Sequence, residues 1–452
     1  MPSEENRAAG PEDTSSAFKK RFMYRLLFVL CGGMFLDGYI LGIIGPVIST
    51  IQEDLQVSTL MEGLIGAAAL LGIFIGSPLG GWAGDKFGRK PMFMIDIALF
   101  CLASAAQFFV DSAGQLFVVR LLMGVAIGME YSVGWPLMAE FAPARLRGRL
   151  IGLTQIGWYV GFMVAFTVGY LLHANTGLDW HVILGTSTIL AVILLLARFG
   201  MPESPRWLWN VGRRDEAVAI AHRYMETYSD MTDVEHEHVR KGTFKELFEK
   251  KYWRATVFCS VFWFCAVAPY FAIATFADSV LQSYGLSGGL AGGVGLSAVA
   301  AAGVVLTAIV IERVGRRTLT VPPQWLCAGI LAIIGLWSGA PPVVVLVLFL
   351  VFSFFNAMYN ALTGVYPSEV FPTEVRGIGT GFAAAFSRVG AAAGTFLLPV
   401  SIETLGTGPS MLIAAVVAGI GAGVSQWLAP ETKGLSLSAA SGGMDHGHIL
   451  AH

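Results

Sequence analysis

Apolar residues fall in about a dozen long runs, near 24–50, 59–80, 92–110, 115–139, 149–172, 181–200, 255–279, 289–311, 319–339, 342–366, 377–401 and 409–429. Each holds roughly 20 residues or more, the length an α-helix needs to cross a bilayer core about 30 Å thick. Short polar connections separate them, except for one long soluble stretch between the sixth and seventh runs. That stretch, 202–254, is charged and in part amphipathic, as in 213–228, and predicts short helices linking two halves. The expected fold class is an all-α integral membrane protein of twelve transmembrane helices.

Basic residues are distributed one-sidedly. The connections at 81–91, 140–149, 203–254 and 312–317 hold most of them, as does 19–25, while those at 51–58, 111–114, 173–180, 280–288, 340–342 and 402–408 hold none. By the positive-inside rule both termini and the central loop face the cytoplasm, which implies a multi-pass protein of a plasma (bacterial inner) membrane. Residues 1–20 lack the apolar stretch of a signal peptide.

Composition agrees. Of 452 residues 55% are hydrophobic and 13% charged, about half the charged fraction of a soluble protein. The net charge of −2 and the lack of a basic tract give no reason to expect nucleic-acid binding. Cys31, Cys101, Cys259, Cys265 and Cys327 all sit inside apolar runs without metal-ligand spacing and read as small buried hydrophobes. No Gly-x4-Gly-Lys-Ser/Thr loop offers a phosphate cradle for an ATP-driven pump. Neither a metal nor another cofactor is expected, and no Ser/His or ligand cluster in the runs supports an enzyme. The expected partners are the lipid bilayer, a small-molecule substrate and protons, with the chain acting as a monomer.

An internal repeat organises the whole. The charged turn Gly81-x3-Asp85-x2-Gly88-Arg89-Lys90 has an echo in Glu312-Arg313-Val314-Gly315-Arg316-Arg317, 227 residues later. Glu140-x2-Pro143-x3-Arg147-Gly148 recurs as Glu369-x2-Pro372-x3-Arg376-Gly377 at 229, and Pro202-Glu203 as Pro430-Glu431 at 228. The chain is thus expected to hold two pseudo-symmetric six-helix bundles: 1–201 with its tail, then the loop 202–253, then 254–430, then a tail 431–452. Repeated charges mark the basic ends of helices in both halves. Asp85, Arg89, Glu140, Arg147, Glu312, Arg316, Glu369 and Arg376 therefore read as a cytoplasmic gate that pairs when the inside is shut and separates when it opens.

These motifs resemble those of the major facilitator superfamily. Arg120-x3-Gly124-x3-Gly128, Pro136, Glu140-x6-Arg147-Gly148 and Pro202-Glu203-Ser204-Pro205-Arg206-Trp207-Leu208 resemble its sugar-porter and organic-ion branches. The resemblance covers nearly all of the membrane portion and implies alternating access between the two halves.

Function is expected where the repeat is broken. Asp37, Glu130, Arg120 and Arg388 lie inside runs, and one repeat away stand Cys265, Tyr359, Phe349 and Tyr159. Intramembrane ionisable side chains are costly and functional by default. Asp37 must be neutral, paired or wet, which suits a proton carrier. The resemblance to sugar porters implies an Asp37–Arg120 pair for proton coupling; Glu130, where the sugar-porter pattern has an uncharged residue, reads as a second protonation site or a partner for Arg388. Gly128-Met129-Glu130-Tyr131 resembles the organic-acid and niacin branches. Ser387-Arg388-x-Gly390 resembles aromatic-acid and organic-anion transporters, which implies that Arg388 meets an anionic substrate, as its planar fork allows. Around it a pocket is expected from Gln155, Trp158 and Tyr159, Trp263 and Tyr270, and a helical face carrying Asn356, Tyr359, Asn360 and Thr363.

Departures narrow the substrate. The seventh run lacks the paired Gln of hexose carriers, the tenth lacks Gly-Pro-x-x-Trp, and 157–169 lacks the proline motif of drug antiporters. The reading is a proton-coupled symporter that imports a small aromatic or heteroaromatic acid. A sugar or polyol symporter is the alternative, supported by Gln155 and the Pro-Glu-Ser-Pro-Arg-Trp-Leu segment.

Overall fold

The computed structural model describes residues 16–56, 59–143, 145–225, 243–275, 290–337 and 339–442. Twelve long helices carry the fold among them: α1 (Ser16–Ile43), α2 (Thr59–Phe87), α3 (Arg89–Ala106), α4 (Ala113–Phe141), α5 (Arg147–Thr176) and α6 (Trp180–Arg198) in the first half, then α7 (Trp253–Thr275), α8 (Leu290–Val314), α9 (Arg316–Leu336), α10 (Pro342–Asn360), α11 (Arg376–Leu405) and α12 (Thr407–Leu428) in the second. Eleven segments have both the length and the apolarity to cross a membrane; α11 adds a thirty-residue helix interrupted by Arg388. The end of the seventh apolar run and residues 226–242 of the central stretch lie outside the described residues. The rest of that stretch forms the short helices Pro205–Asn210 and Arg214–Tyr224 and the 3₁₀ turn Phe244–Phe248.

Local chemistry sets the helix ends. Ser112 caps α4 by accepting from Gln115 N at 3.4 Å, and Ser204 caps Pro205–Asn210 by accepting from Trp207 N at 3.1 Å, each satisfying an orphan N–H of a first turn. At the far end of α10 the helix gives way to a 3₁₀ turn, Ala361–Thr363, and a short helix, Val365–Val370.

With lipid outside, tight packing rather than water exclusion holds the helices together, and small residues permit it. A Cβ on Gly161 would lie 2.0 Å from the Phe35 carbonyl oxygen, so α1 and α5 touch backbone to backbone. The two halves meet through α2 against α11 and α5 against α8. At the first seam a Cβ on Gly81 would stand 2.2 Å from Gly377 O. The consequence is a central space bounded by both halves.

Candidate functional site: a basic-face clamp and a central aromatic pocket

At the basic face the repeated motifs build one arrangement twice. Arg89, fully buried, bonds Asp85 and reaches Glu140 at 3.3 Å. One repeat later Arg316 reaches Glu312 at 2.7 Å and Glu369 at 3.0 Å. Glu203 accepts from the backbone N–H of Arg89 at 2.9 Å, and Glu431 from that of Arg316 at 3.0 Å. Each acid caps the first turn of the helix that carries the arginine.

The same acids bind across the seam. Asp85 accepts from Gly377 N at 3.1 Å and Ile378 N at 2.7 Å, in the first turn of α11. Glu312 accepts from Arg149 N at 3.0 Å, in the first turn of α5. Each half therefore caps a helix of the other, where the macrodipole favours a carboxylate. Glu140 adds a buried ion pair to Arg376 at 2.8 Å, and Arg147 donates to Ala139 O at 3.1 Å and Leu435 O at 3.4 Å. All eight residues expected at the gate meet here, with the basic face shut.

Deeper, between the halves, aromatic rings converge. Trp135 stacks on Tyr131 at 5.0 Å and tilts against Trp263 at 5.6 Å, while Tyr159 meets Tyr270 edge-on at 6.1 Å. Gln155, Trp158, Asn360, Thr363 and Arg388 complete the lining with Met34, Val267 and Phe271. Asn360 donates to the Tyr159 hydroxyl at 3.4 Å, one contact that joins the halves inside the pocket. The Arg388 guanidinium lies 5.9 Å from the Tyr131 ring and 5.7 Å from that of Phe271, in cation–π range. The space left is about 30 Å³, room for a water or two. In this conformation a substrate does not fit.

The structure corrects several expected placements. Asn356 and Tyr359 do not line the pocket: the Asn356 amide donates to Ala266 O at 3.1 Å and to the Tyr359 hydroxyl at 2.6 Å, because α7 covers that turn of α10. Nor does Arg120 bond Asp37. Its Nε donates to Ile65 O at 3.3 Å and its Nη2 to Ile40 O at 3.4 Å. Ile40 is three residues beyond Asp37, about 4.5 Å along α1, so the expected pair misses by one helical turn. Glu130 takes Arg198, not Arg388, at 2.5 Å.

Arg198 in turn holds Asp96 at 2.5 Å and Phe93 O at 2.7 Å. Asp37 lies within electrostatic reach of Glu130, Asp96 and Arg198, and of Arg388 in the other half. Neither of its oxygens has a hydrogen-bond partner among the described residues. Sequence reasoning had passed over Asp96 and Arg198, although the repeat flags both: 228 residues on stand Gln324 and Gln426. Tyr131, although part of the Gly128–Tyr131 motif, and Trp135 also line the pocket without having been expected there, and no sequence signal separates Trp135 from an ordinary core aromatic.

Comparisons with known proteins converge on the same class of molecule. The profile of the family described as "Sugar (and other) transporter" matches residues 26–441. The inner membrane metabolite transport protein YgcS of Escherichia coli is 37% identical over 425 residues, 93% of this chain and 94% of that protein. The niacin transporter NiaP of Acinetobacter baylyi is 28% identical, covering 82% of this chain and 85% of its own length. The proton:xylose symporter XylE, solved with 6-bromo-6-deoxy-D-glucose bound, shares the fold with a TM-score of 0.80 at 20% identity, over 93% of this chain and 99% of that one. With its duplicated six-helix halves, doubled clamp and central pocket, the chain has the major facilitator fold, belongs to the sugar (and other) transporter family and is a multi-pass membrane transporter rather than an enzyme.

Proposed function

We propose that this transporter imports a small aromatic or heteroaromatic carboxylate together with protons, as a monomer in the inner membrane with its basic face in the cytoplasm. The observation that carries the reading is Arg388, a guanidinium set in a pocket otherwise walled by aromatic rings and a few amide and hydroxyl groups. Aromatic walls suit a flat ring, and a guanidinium fork suits its carboxylate. The niacin transporter among the relatives fits the same chemistry.

Coupling follows from charge balance. In the empty pocket Asp37 and Arg388 sit within each other's field. A substrate carboxylate that takes the guanidinium leaves Asp37 a buried, uncompensated anion, which costs several kcal/mol unless it takes up a proton. Anion and proton therefore load together. The two halves then rock, the Glu140–Arg376 pair and the two helix caps part, and both leave into the cytoplasm. Arg120 serves in this scheme by tying α4 to the backbones of α1 and α2.

Two substitutions test the assignments in proteoliposomes. Asp37→Asn is expected to keep substrate counterflow and lose uphill accumulation; full accumulation would refute the coupling role. Arg388→Ala is expected to weaken binding of nicotinate or benzoate at least tenfold in a thermal-shift titration, and unchanged affinity would remove the anion site.

The second reading is a sugar or polyol symporter, favoured by the Gln155 and Asn360 amides at the pocket and by the likeness to XylE. Charge movement separates the two. One monoanion with one proton is electroneutral, whereas a neutral sugar with one proton carries a charge worth about 2.3 kcal/mol per 100 mV. A substrate-induced current with no pH gradient would favour the sugar.

A further inference from the structure

Inside the first bundle, away from the pocket lining, Asp96 of α3, Glu130 of α4 and Arg198 of α6 form a sealed cluster. Asp96 and Arg198 have no exposed surface, and Glu130 keeps only 2% of its own. The guanidinium divides its two ends, Nη1 to Asp96 Oδ1 and Nη2 to Glu130 Oε2, each at 2.5 Å. Its plane also lies 3.7 Å from the Phe93 ring centre, so its position is fixed by packing as well as charge. The remaining carboxyl oxygens, Asp96 Oδ2 and Glu130 Oε1, have no donor among the described residues. The two carboxyls stand close beside each other, because they hold the two ends of one guanidinium.

Two ionised carboxylates in such contact inside a dry bundle repel strongly, and one guanidinium neutralises only one of them. A single proton resolves both problems. It cancels the excess charge, and it supplies the missing donor between the two carboxyls. We propose that Asp96 and Glu130 form a buried proton-binding site, one proton shared by the pair and held against Arg198, distinct from Asp37. In balanced terms, one carboxylate gains H⁺ and donates it as O–H to the other, which stays ionised and paired with the guanidinium.

The groups around this pair are few. From α1 comes Asp37, from α4 also Tyr131, from α11 the Arg388 charge that reaches through Asp37, and on α3 itself the Cys101 thiol. Helix α1 approaches most closely at Gly33, where a Cβ would stand 2.4 Å from Glu130 Oε1 and 3.1 Å from Arg198 Nη2. Gly33 is four residues from Asp37, about 6 Å along the helix. The shared proton thus sits one turn of α1 from the acid to which coupling is assigned above. The proposal rests on the cluster geometry alone and stands whether or not Asp37 proves to be the coupling acid.

Infrared difference spectroscopy of the full-length protein in nanodiscs, exchanged between water and deuterium oxide at neutral pH, reads protonated carboxyls directly. The expected result is one deuterium-sensitive carboxyl band that disappears in Asp96→Asn and equally in Glu130→Gln, since either substitution removes the need for the shared proton. Asp37→Asn is expected to leave that band in place, so its survival there separates this site from the coupling assignment. Two bands lost independently, or no band lost in either variant, would overturn the proposal. Should an amide variant fail to fold, the acid-keeping variants Asp96→Glu and Glu130→Asp are expected to retain the band at a shifted frequency, and a band that moves in neither would refute the site.

Discussion

Gly88 shows how much a single residue carries. Its φ of 112° and that of Gly315 at 99° lie in backbone territory that side chains rarely enter. A Cβ on either would also stand 2.4 Å from the capping carboxylate, Glu203 or Glu431. The Gly in both copies of the motif is readable from the sequence; the acid pressed against it, more than a hundred residues later, is not. Gly88→Ala is expected to lower stability by about 1–3 kcal/mol, seen as a reduced thermal midpoint in detergent. An unchanged midpoint would mean that the turn relaxes. Glu203→Gln keeps an acceptor for the Arg89 and Lys90 N–H groups and is expected to cost less in the same assay.

Between helices, the informative contacts are the two caps that cross the seam. Asp85 on α2 holds the first turn of α11, and Glu312 on α8 holds the first turn of α5. Exposed caps of this kind contribute about 0.3–1 kcal/mol and partly buried ones up to about 2. Removing both should therefore shift a two-state gate without unfolding it. Asp85→Asn with Glu312→Gln is expected to speed hydrogen exchange at the amides of residues 149, 377 and 378 several-fold, while α3 and α9 amides stay protected. Equal protection in the variant would show that the Glu140–Arg376 pair keeps the gate closed by itself. The meeting of these residues was legible because both copies of the motif keep their charges at one nearly constant spacing. That each acid reaches the opposite half was not legible, since a repeat in sequence does not say whether its copies bond within or across halves.

For the whole molecule, orientation and motion are the open variables. A protease site appended after residue 452 is expected to resist digestion in spheroplasts and to be cut in inverted vesicles; the reverse pattern would overturn the topology assigned from the basic loops. The central space of about 30 Å³ is roughly a tenth of the smallest ordinary ligand pocket. A ligand therefore needs the pocket to enlarge, and rocking of the two halves is the motion proposed for it. A substrate that raises the thermal midpoint should do so without increasing exchange at the seam amides, if it enters from the side opposite the clamp.

The sequence by itself determined the apolar spans, the one-sided charge of their connections, the duplication and the residues that meet in the clamp. All of these are written in run length, loop charge and fixed spacing, which survive any rotation of a helix about its axis. The tertiary structure alone decided which buried charges meet. Asp37 and Arg120 miss each other by one turn, and Glu130 finds Arg198 rather than Arg388. Such pairing turns on the depth and rotation of each helix to within a few ångströms. Those are set by how Gly161, Gly81 and other small residues let particular backbones touch, and no one-dimensional pattern records them.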